Sequence, residues 1–510
     1  MEDDTGRLKV PVSAEIRRML LEPPPPGRPG WKTELDGVSL VDLAHVVMLV
    51  ERGIVDRAAG AGLLAAVVDL RRRDYAPLDG RPMARGVYLA YEHHLIERLG
   101  EGTGGVLHTA RSRNDLNATC LKIRLRDPCQ ALLSGLVRLG VVTLNRARRY
   151  QEVVMPAYTH SQAAVPITYG HYLLGLCAAL SRDARALLQA AEALRECPLG
   201  AGAVGGTTLP IDPARTARLL GFAAPSLNSV DAVASRDVVL RLLAASATLG
   251  TTLDRAARDL LLWSTAEFDM VTVPDHLVGS SSMMPQKRNA FVLEHVQGKT
   301  AAALGGFVAA VAGVRGTSFT NSISAGTEAV SHVWQALDET TRAVIILRMA
   351  VSGTTPNSEA GLRRARAGLT TATAIAERLA GSGMPFRRAH HEVGAAVRAV
   401  LEERGGSLVE AVAARVGDAT PLSAQLDDPG AVRAQTDYGA GPGPRSFAYG
   451  LGELRARWQD IRTELGEGSR WRREAGKRLS HAVTEICGIA DPLATHPYQA
   501  AEEREAHDDV

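Results

Sequence analysis

Residues 173–194 read LLGLCAALSRDARALLQAAEAL and carry the clearest structural pattern in this 510-residue chain. Leucines recur every seven residues, and a small residue lies between each pair, so the spacing alternates between four and three. The positions are Leu173, Cys177, Leu180, Ala184, Leu187, Ala191 and Leu194. This spacing predicts a long helix whose seam packs against neighbouring helices, with small side chains alternating with large ones.

Two more stretches extend the pattern. A second seam runs from Leu242 to Trp263, and a third apolar stretch covers residues 292–315. Both are too long for strands and predict helices of roughly 35–40 Å. Aromatic residues make up only 4% of the chain, so the core must consist mostly of small and branched aliphatic side chains, which suit close-packed helices. We therefore predict an all-α fold with a long central helical bundle, whose wide apolar stripes favour a homo-oligomer.

The composition of the whole chain excludes several partners. Basic residues number 58 against 56 acidic ones and form no stripe, so nucleic acid is not expected as a partner. No run of about 18 apolar residues occurs, so no membrane-spanning helix is expected. The N-terminus lacks the apolar region of a secretory signal, and the five scattered cysteines indicate buried thiols rather than disulfides or a zinc site. These features predict a cytoplasmic protein.

Changes of composition divide the chain into five segments. PPPPGRPG at 23–30 cannot form a helix interior, helical spacing begins near Val38 and continues to residue 73, and a new amphipathic pattern begins near residue 371. The predicted segments are an N-terminal extension (1–35), an N-terminal helical domain (36–115), a central helical bundle domain (116–370), a C-terminal helical domain (371–466) and a C-terminal extension (467–510) that ends in the charged AAEEREAHDDV.

Two polar segments interrupt the helical patterns in the first third of the chain. LHTARSRND at 107–115 gathers two arginines with Ser112 and Asn114, a set that suits a ligand with carboxylates; the alternative is a capped helix start. MPAYTHSQ at 155–162 places His160 between two hydroxyl residues, just before a helix that opens after Pro166. Histidine titrates near neutral pH and suits proton transfer, but a lone histidine is more often structural.

Two glycine-bounded segments follow. GAGAVGGTT at 200–208 matches the GxGxxG pattern, but a leucine-rich helix rather than a strand precedes it, so we reject dinucleotide binding and keep a loop that lets backbone approach a small ligand. VGSSSMMPQKRN at 278–289 combines three serines with Lys287 and Asn289. Such a loop can close over an anion, or it is simply a flexible connection.

Taken together, these segments resemble the argininosuccinate lyase branch of the fumarase/aspartase superfamily. The superfamily pattern GSSxMPxKxN is nearly reproduced by SSSMMPQKRN at 280–289, and the branch motifs HTGRSRND, MPGYTHLQ and GSGALAGTT correspond to HTARSRND, MPAYTHSQ and GAGAVGGTT. NSVDAVASRD at 228–237, LLWSTAEF at 261–268 and PFRRAHHEVG at 385–394 also fit. The resemblance covers about residues 36–465, with the motifs in the same order.

This resemblance implies a three-domain, almost all-α subunit, a homotetramer and active sites that each draw on three subunits. It implies an enzyme that breaks the C–N bond of an N-substituted aspartate, argininosuccinate by default, and releases fumarate without a metal or other cofactor. The roles it implies are general base for Ser281, stabilisation of the carboxylate by Lys287 and Asn289, general acid for His160, orientation of that histidine by Glu294, and substrate binding by Ser112, Arg113, Asn114, Thr159, Arg236 and Ser280.

Several positions depart from the family pattern. Ser280 occupies the place of the loop glycine, so the base is Ser280 or Ser281; Asp42 replaces a serine, and RGVY at 85–88 replaces EDIH. Residues 317–329, TSFTNSISAGTEA, replace a substrate-holding stretch that contains Tyr, Gln, Lys and Arg. The alternatives are therefore a lyase for a different N-succinyl compound, a catalytically silent relative, or elimination of ammonia or water.

Overall fold

The computed structural model describes residues 12–20, 30–81, 86–403, 405–417 and 422–493. Three parts of the sequence discussed above lie outside the described residues: the proline-rich segment at 23–29, the arginine at position 85, and the charged C-terminal end.

Helices account for most of the described ranges. In chain order they are α1 (Ala14–Leu20), α2 (Trp31–Glu51), α3 (Arg57–Arg72), α4 (Val87–Leu99), α5 (Glu101–Gly104), α6 (Arg113–Arg149), α7 (Tyr169–Ala191), α8 (Pro213–Leu219), α9 (Ser229–Ala234), α10 (Asp237–Trp263), α11 (Phe291–Val314), α12 (His332–Gly353), α13 (Ser358–Ala367), α14 (Ala372–Gly381), α15 (Phe386–Glu402), α16 (Leu408–Val416), α17 (Pro429–Gln435) and α18 (Pro444–Cys487).

Short elements join these helices. The strands are β1 (Val154–Thr159), β2 (Gln162–Thr168), β3 (Glu196–Cys197), β4 (Ala224–Pro225), β5 (Val271–Thr272), β6 (Gly279–Ser280), β7 (Arg288–Asn289) and β8 (Thr355–Pro356). They pair as β1–β2, β3–β4, β5–β8 and β6–β7, and β3–β4 alone is parallel among these. Single 3-10 turns occur at Ala76–Leu78, Glu192–Arg195, Asp275–Leu277, Ala329–Ser331 and Ala424–Asp427, and a π-helical turn at Ser324–Glu328.

A bundle of long helices forms the centre of the subunit. The three predicted apolar stretches are α7, α10 and α11, and α6 and α12 complete the bundle. The heptad leucines of α7 and of the turn that follows it are all at least 94% buried in the main core. The predicted all-α fold with a long central bundle is confirmed.

The connections between bundle helices collect at two ends of the bundle. At one end, the start of α6 contacts the loop at 200–206 and the segment between α11 and α12. At the other end, the β1–β2 hairpin follows α6, and β5 after α10 pairs with β8 after α12. We call these the glycine-loop end and the serine-loop end, because residues 200–206 lie at the first and residues 278–289, between α10 and α11, at the second.

Two smaller cores flank the bundle. One joins α2, α3 and α4 to the last turns of α18, through Leu479, Ala482 and Val483. The other is formed by α14 to α17. Helix α18 runs without a break through residues 466 and 467, where the sequence predicts that the C-terminal domain ends. The five segment boundaries stay predictions.

The helical stretch expected from Val38 to residue 73 is wrong in detail. A helix already begins at Trp31, and residues 52–56 divide the stretch into α2 and α3. Gly53 has a left-handed φ of 66°, which ends the first helix, and the Asp56 carboxylate caps the second by accepting hydrogen bonds from backbone amides. Helical periodicity continues across this break because both helices bury their faces in the same core.

Two expectations from composition concern thiols and membranes. Cys120, Cys129, Cys177 and Cys197 are buried free thiols, as predicted, and Cys487 is half-buried. Among the described residues, no helix combines the length and the apolarity needed to cross a membrane.

Candidate active site

Asp115 organises the glycine-loop end. Its Oδ1 accepts a hydrogen bond from the backbone amide of Ser112 at 2.9 Å, and the Ser112 side chain in turn caps α6. Its Oδ2 accepts from the backbone amides of Gly200 at 3.0 Å and Gly202 at 2.9 Å. Burial raises the pKa of the Asp115 carboxyl, and these backbone donors oppose that effect. One buried carboxylate therefore fixes the capped start of α6 against the glycine loop.

The glycine loop has the conformation that its composition predicts. Gly200 and Gly202 have φ angles of 107° and 60°, which side-chain-bearing residues rarely adopt. A Cβ on Gly202 would lie 2.5 Å from the carbonyl oxygen of Gly206. The two glycines thereby bring successive amides toward one acceptor, which here is a protein carboxylate rather than a phosphate.

Asn114 connects three segments at this end. Its Nδ2 donates to the carbonyl of Ala203 at 3.1 Å, and its Oδ1 accepts from Asn321 Nδ2 at 2.9 Å. Asn321 belongs to the stretch 317–329 that departs from the family pattern. Arg113, by contrast, points its side chain into solvent.

Arg236 lies buried at the start of α10, close to the same stretch. Its Nη1 donates to the carbonyls of Val233 at 2.8 Å and Ser235 at 2.7 Å. Burial lowers the pKa of Arg236, and no carboxylate within the described ranges offsets that effect. This guanidinium is therefore a buried cation without an anionic partner in the described part of the chain.

A buried ion pair anchors the HTARSRND segment to the protein core. Arg111 Nη2 lies 2.6 Å from Asp42 Oδ1, and both side chains are fully buried. His45 Nε2 donates to the carbonyl of Thr109 at 2.8 Å. Burial, together with the charge of Arg111, lowers the pKa of His45 to about 3, so its ring is neutral. Between these contacts Ala110 has a φ of 61°, where the family pattern has glycine.

At the serine-loop end, His160 lies at the tip of the β1–β2 hairpin. Thr159 pairs with Gln162, and the two turn residues, His160 and Ser161, have φ angles of 52° and 61°. Two positive φ angles are the signature of a type I′ turn, which matches the twist of its strands. The hairpin exposes the Thr159 and His160 side chains, and the helix expected after Pro166 begins at Tyr169.

The serine loop is a small hairpin closed by β6 and β7. Ser280 pairs with Arg288 in this ladder, which turns its backbone toward structural hydrogen bonds. Ser281 Oγ accepts from the backbone amides of Met283 at 3.3 Å and Met284 at 3.0 Å. Two amides directed at one hydroxyl oxygen stabilise negative charge on that oxygen. The loop projects Lys287 into solvent.

The candidate residues thus fall into two groups. The structure places Ser112, Arg113, Asn114 and Arg236 at the glycine-loop end. The rest, Thr159, His160, Ser280, Ser281, Lys287, Asn289 and Glu294, belong to the serine-loop end. Glu294 is exposed in the first turn of α11, and no hydrogen bond joins it to His160 within the described chain.

Sequence reasoning missed three residues of the site. Asp115 carries a recognisable signal, since an acid three residues after a capping serine forms a capping box. Asn321 and Gly326 carried none, because each lies at the site only through a contact with a residue distant in sequence, Asn114 for Asn321 and Arg236 for Gly326.

Comparisons with known proteins agree with this arrangement. The family model described as lyase matches residues 57–305, and the model described as argininosuccinate lyase C-terminal matches residues 369–423. The chain is 36% identical over 457 residues to argininosuccinate lyase of Methanoculleus marisnigri, covering 88% of this chain and 91% of that protein. It is 37% identical over 420 residues to argininosuccinate lyase of Haloarcula marismortui, covering 80% and 82%.

Comparison with solved structures indicates the same fold. EDDS lyase in complex with formate superposes with a TM-score of 0.81 at 27% identity, covering 90% of this chain and 93% of that one. Class II fumarase from Schistosoma mansoni superposes with a TM-score of 0.63 at 16% identity, a likeness of fold alone. Since the two sequence relatives are 36% and 37% identical to the chain over 91% and 82% of their own length, this chain belongs to the argininosuccinate lyase family of the fumarase/aspartase superfamily and is a carbon–nitrogen lyase.

Proposed function

We propose that this enzyme cleaves argininosuccinate into arginine and fumarate. The observation that carries the proposal is the serine loop: Ser281 Oγ receives two backbone N–H donors while Lys287 projects from the same hairpin. This is an arrangement for taking a proton next to a carboxylate and holding the resulting charge. The relatives named argininosuccinate lyase support the choice of substrate.

The first step removes a proton from the carbon next to a carboxylate. Ser281 acts as the base, and the carbanion is held as a doubly charged aci-carboxylate. Lys287 and Asn289 supply a cation and a donor toward the new charge. Because a serine hydroxyl is a weak base, the step needs the loop closed and water excluded.

In the second step the C–N bond breaks. The carbanion electron pair forms the double bond of fumarate, and the nitrogen leaves with the bonding pair as His160 donates a proton to it. Glu294 orients His160. Ser112, Arg113, Asn114, Thr159 and Arg236 bind the substrate. This assignment gives the exposed imidazole at the hairpin tip a partner on each side.

Ser281, rather than Ser280, is our choice of base. The Ser280 backbone is committed to the β6–β7 ladder, whereas Ser281 Oγ lies where two amides meet. Fixed N–H donors are worth several kcal/mol when charge develops on the oxygen they face, about 3–4 kcal/mol for a single oxyanion donor.

The site also requires more than one subunit. Its two halves lie at opposite ends of α6, whose 37 residues span roughly 55 Å. Helix α11 presents an apolar stripe to solvent, with Leu304 58% and Val308 60% exposed. A stripe of this kind on a long helix marks a contact with another helix. We therefore propose a homotetramer with shared active sites, working in the cytoplasm.

A second candidate is a lyase for a different N-succinyl compound. The stretch 317–329, which departs from the family pattern, favours it, because that stretch contains none of the Tyr, Gln, Lys and Arg residues that hold substrate there in the family. The similarity to EDDS lyase, one structure of which holds fumarate, is consistent with such a change of amine.

The test follows fumarate absorbance with purified enzyme and argininosuccinate. Ser281→Ala is expected to lower kcat by at least about 10²-fold, as removal of an essential base does. Ser282→Ala, next in the same loop, is the matched control and is expected to retain most activity. A larger loss from Ser280→Ala than from Ser281→Ala would make Ser280 the base. No fumarate from argininosuccinate, with fumarate from another N-succinyl amine, would replace the first candidate by the second.

A further inference from the structure

The position of His160 depends on the hairpin that carries it. The imidazole is exposed and makes no hydrogen bond within the described part of the chain. Its location therefore follows from the backbone of the turn, which is closed by the pair Thr159–Gln162 and, one step further, by the pair Tyr158–Ala163. Contacts that fix Tyr158 and Ala163 also fix the proposed general acid.

Helix α13 contacts both strands of this hairpin through glycines. A Cβ placed on Gly361 would lie 2.5 Å from the carbonyl oxygen of Val154, in β1. A Cβ placed on Gly368, at the C-terminal end of the helix, would lie 2.8 Å from the Cβ of Ala163, in β2. Residues two helical turns apart lie on the same face of a helix. The two glycines therefore let one face of α13 lie directly against the hairpin.

Hydrogen bonds fasten α13 to the segment that follows α10. Arg364 Nε donates to the carbonyl of Phe268 at 2.7 Å. Asn357, whose side chain caps α13, donates its backbone amide to the carbonyl of Met270 at 2.8 Å. Because both ends of the helix are tied to the bundle in this way, α13 is a fixed surface against which the hairpin packs.

The pair Tyr158–Ala163 is held from both of its strands. The Tyr158 ring packs edge-on against Phe268, with 5.9 Å between the ring centroids, and Ala163 lies against Gly368. Gly368 has a φ of −81°, which residues with a side chain adopt readily. Close approach to Ala163, and not backbone conformation, therefore requires a glycine at this position.

We propose that Gly368 is a positioning residue for His160. Its missing side chain lets the strand at Ala163 lie close to α13, and this close packing sets where the turn presents the imidazole. The inference rests on the proposed function, because it takes His160 as the acid that protonates the leaving nitrogen. Gly368 itself touches no substrate and acts only through the hairpin.

The test measures kcat and KM of Gly368→Ala with argininosuccinate. Carbon atoms in contact are ordinarily about 3.5–4.0 Å apart, so a new Cβ at 2.8 Å displaces Ala163 and the turn by about 1 Å. A displacement of this size is expected to lower kcat by about 10- to 100-fold and to change KM much less. Gly381→Ala, at the end of α14, is the matched control, because a Cβ there meets nothing within 4 Å, and it is expected to keep the wild-type kcat.

Two double variants separate positioning from a general loss of structure. Ala163→Gly removes the atom that the new Cβ would meet, so Gly368→Ala combined with Ala163→Gly is expected to have the kcat of Ala163→Gly alone. Added to His160→Ala, Gly368→Ala is expected to cause no further loss of kcat, because no imidazole is left to displace. If Gly368→Ala does not fold, Ala163→Val crowds the same contact from the hairpin side and is expected to give the same loss of kcat.

The outcomes distinguish this proposal from the proposed function. A wild-type kcat in Gly368→Ala overturns the positioning role, and so does a loss that Ala163→Gly fails to relieve or that is equally large in the His160→Ala background. A wild-type kcat in His160→Ala instead overturns the acid role in the proposed function, and the positioning role with it.

Discussion

Ser112 and His160 lie at opposite ends of one helix. Ser112 caps the first turn of α6, and the hairpin that carries His160 begins five residues after the last turn, which ends at Arg149. The helix spans roughly 55 Å, whereas the six-residue strand β1 can reach back by only about 20 Å. One subunit therefore cannot bring both residues to a small substrate.

The first prediction concerns backbone strain in the HTARSRND segment. Ala110 has a φ of 61°, a region that costs an alanine about 1–2 kcal/mol and a glycine almost nothing. Because glycine also loses more entropy on folding, Ala110→Gly is expected to raise the free energy of unfolding by about 0.5–1 kcal/mol, measured by urea denaturation.

The control for this change is Ala131→Gly, in the exposed face of α6. It is expected to lower stability by about 0.5–1 kcal/mol, since that alanine has an ordinary helical backbone. Equal destabilisation by both substitutions would mean that the Ala110 conformation is not strained.

The second prediction concerns the Asp42–Arg111 pair. Asp42→Ser restores the residue of the family pattern but leaves the Arg111 guanidinium buried without its carboxylate. Breaking a fully buried pair in this way costs about 3–5 kcal/mol. The free energy of unfolding is expected to fall by that amount in urea denaturation.

Asp338→Ser supplies the comparison. It removes an exposed partner of Arg342 on α12, where both side chains are more than half exposed, and is expected to cost less than about 0.5 kcal/mol. A loss from Asp42→Ser as small as this would show that Arg111 finds another partner or that water reaches it.

The third prediction concerns pH. The pKa of His45 is about 3 in the folded protein, below its ordinary value of 6.5. As pH falls through 6.5, the unfolded chain binds a proton at this residue and the folded chain does not. Stability from His45 is therefore complete above pH 6.5 and decreases by about 1.4 kcal/mol per pH unit toward pH 3.

His45→Gln removes this titration while keeping an N–H that can donate to the Thr109 carbonyl. Between pH 6 and 4, its free energy of unfolding is expected to fall less steeply than that of the wild-type protein. The difference between the two slopes is expected to correspond to the binding of one proton. Urea denaturation at successive pH values measures the two slopes, and parallel slopes would contradict a neutral buried ring.

The bundle could be predicted from the sequence because leucines at heptad spacing indicate a helix that packs along one face. Helix α6 was harder to predict, since its many arginines interrupt the apolar pattern even though its other face packs in the core. The break at residues 52–56 was missed because α2 and α3 continue one apolar periodicity. The hairpin around His160 was missed because its turn uses histidine and serine instead of the asparagine and glycine that mark such turns.

The candidate site was also only partly predictable from the sequence. Ser281, His160 and Lys287 could be predicted as candidates because they lie in local motifs that resemble the family, and their roles stay predictions. The separation of the candidate residues between the two ends of the bundle depends on the direction in which each helix runs in the folded protein. No short motif contains that information. Likewise, Asn321 lies at the glycine-loop end through its hydrogen bond to Asn114, a contact that the sequence does not indicate.

The most direct measurement mixes two inactive proteins. Asn114→Ala disables the glycine-loop end, and Ser281→Ala disables the serine-loop end. If each site joins opposite ends of different subunits, random hybrids are expected to contain intact sites and to recover about a quarter of wild-type activity. Hybrid oligomers that stay as inactive as the two parents would contradict shared sites, and with them the catalytic roles proposed for Ser281 and His160.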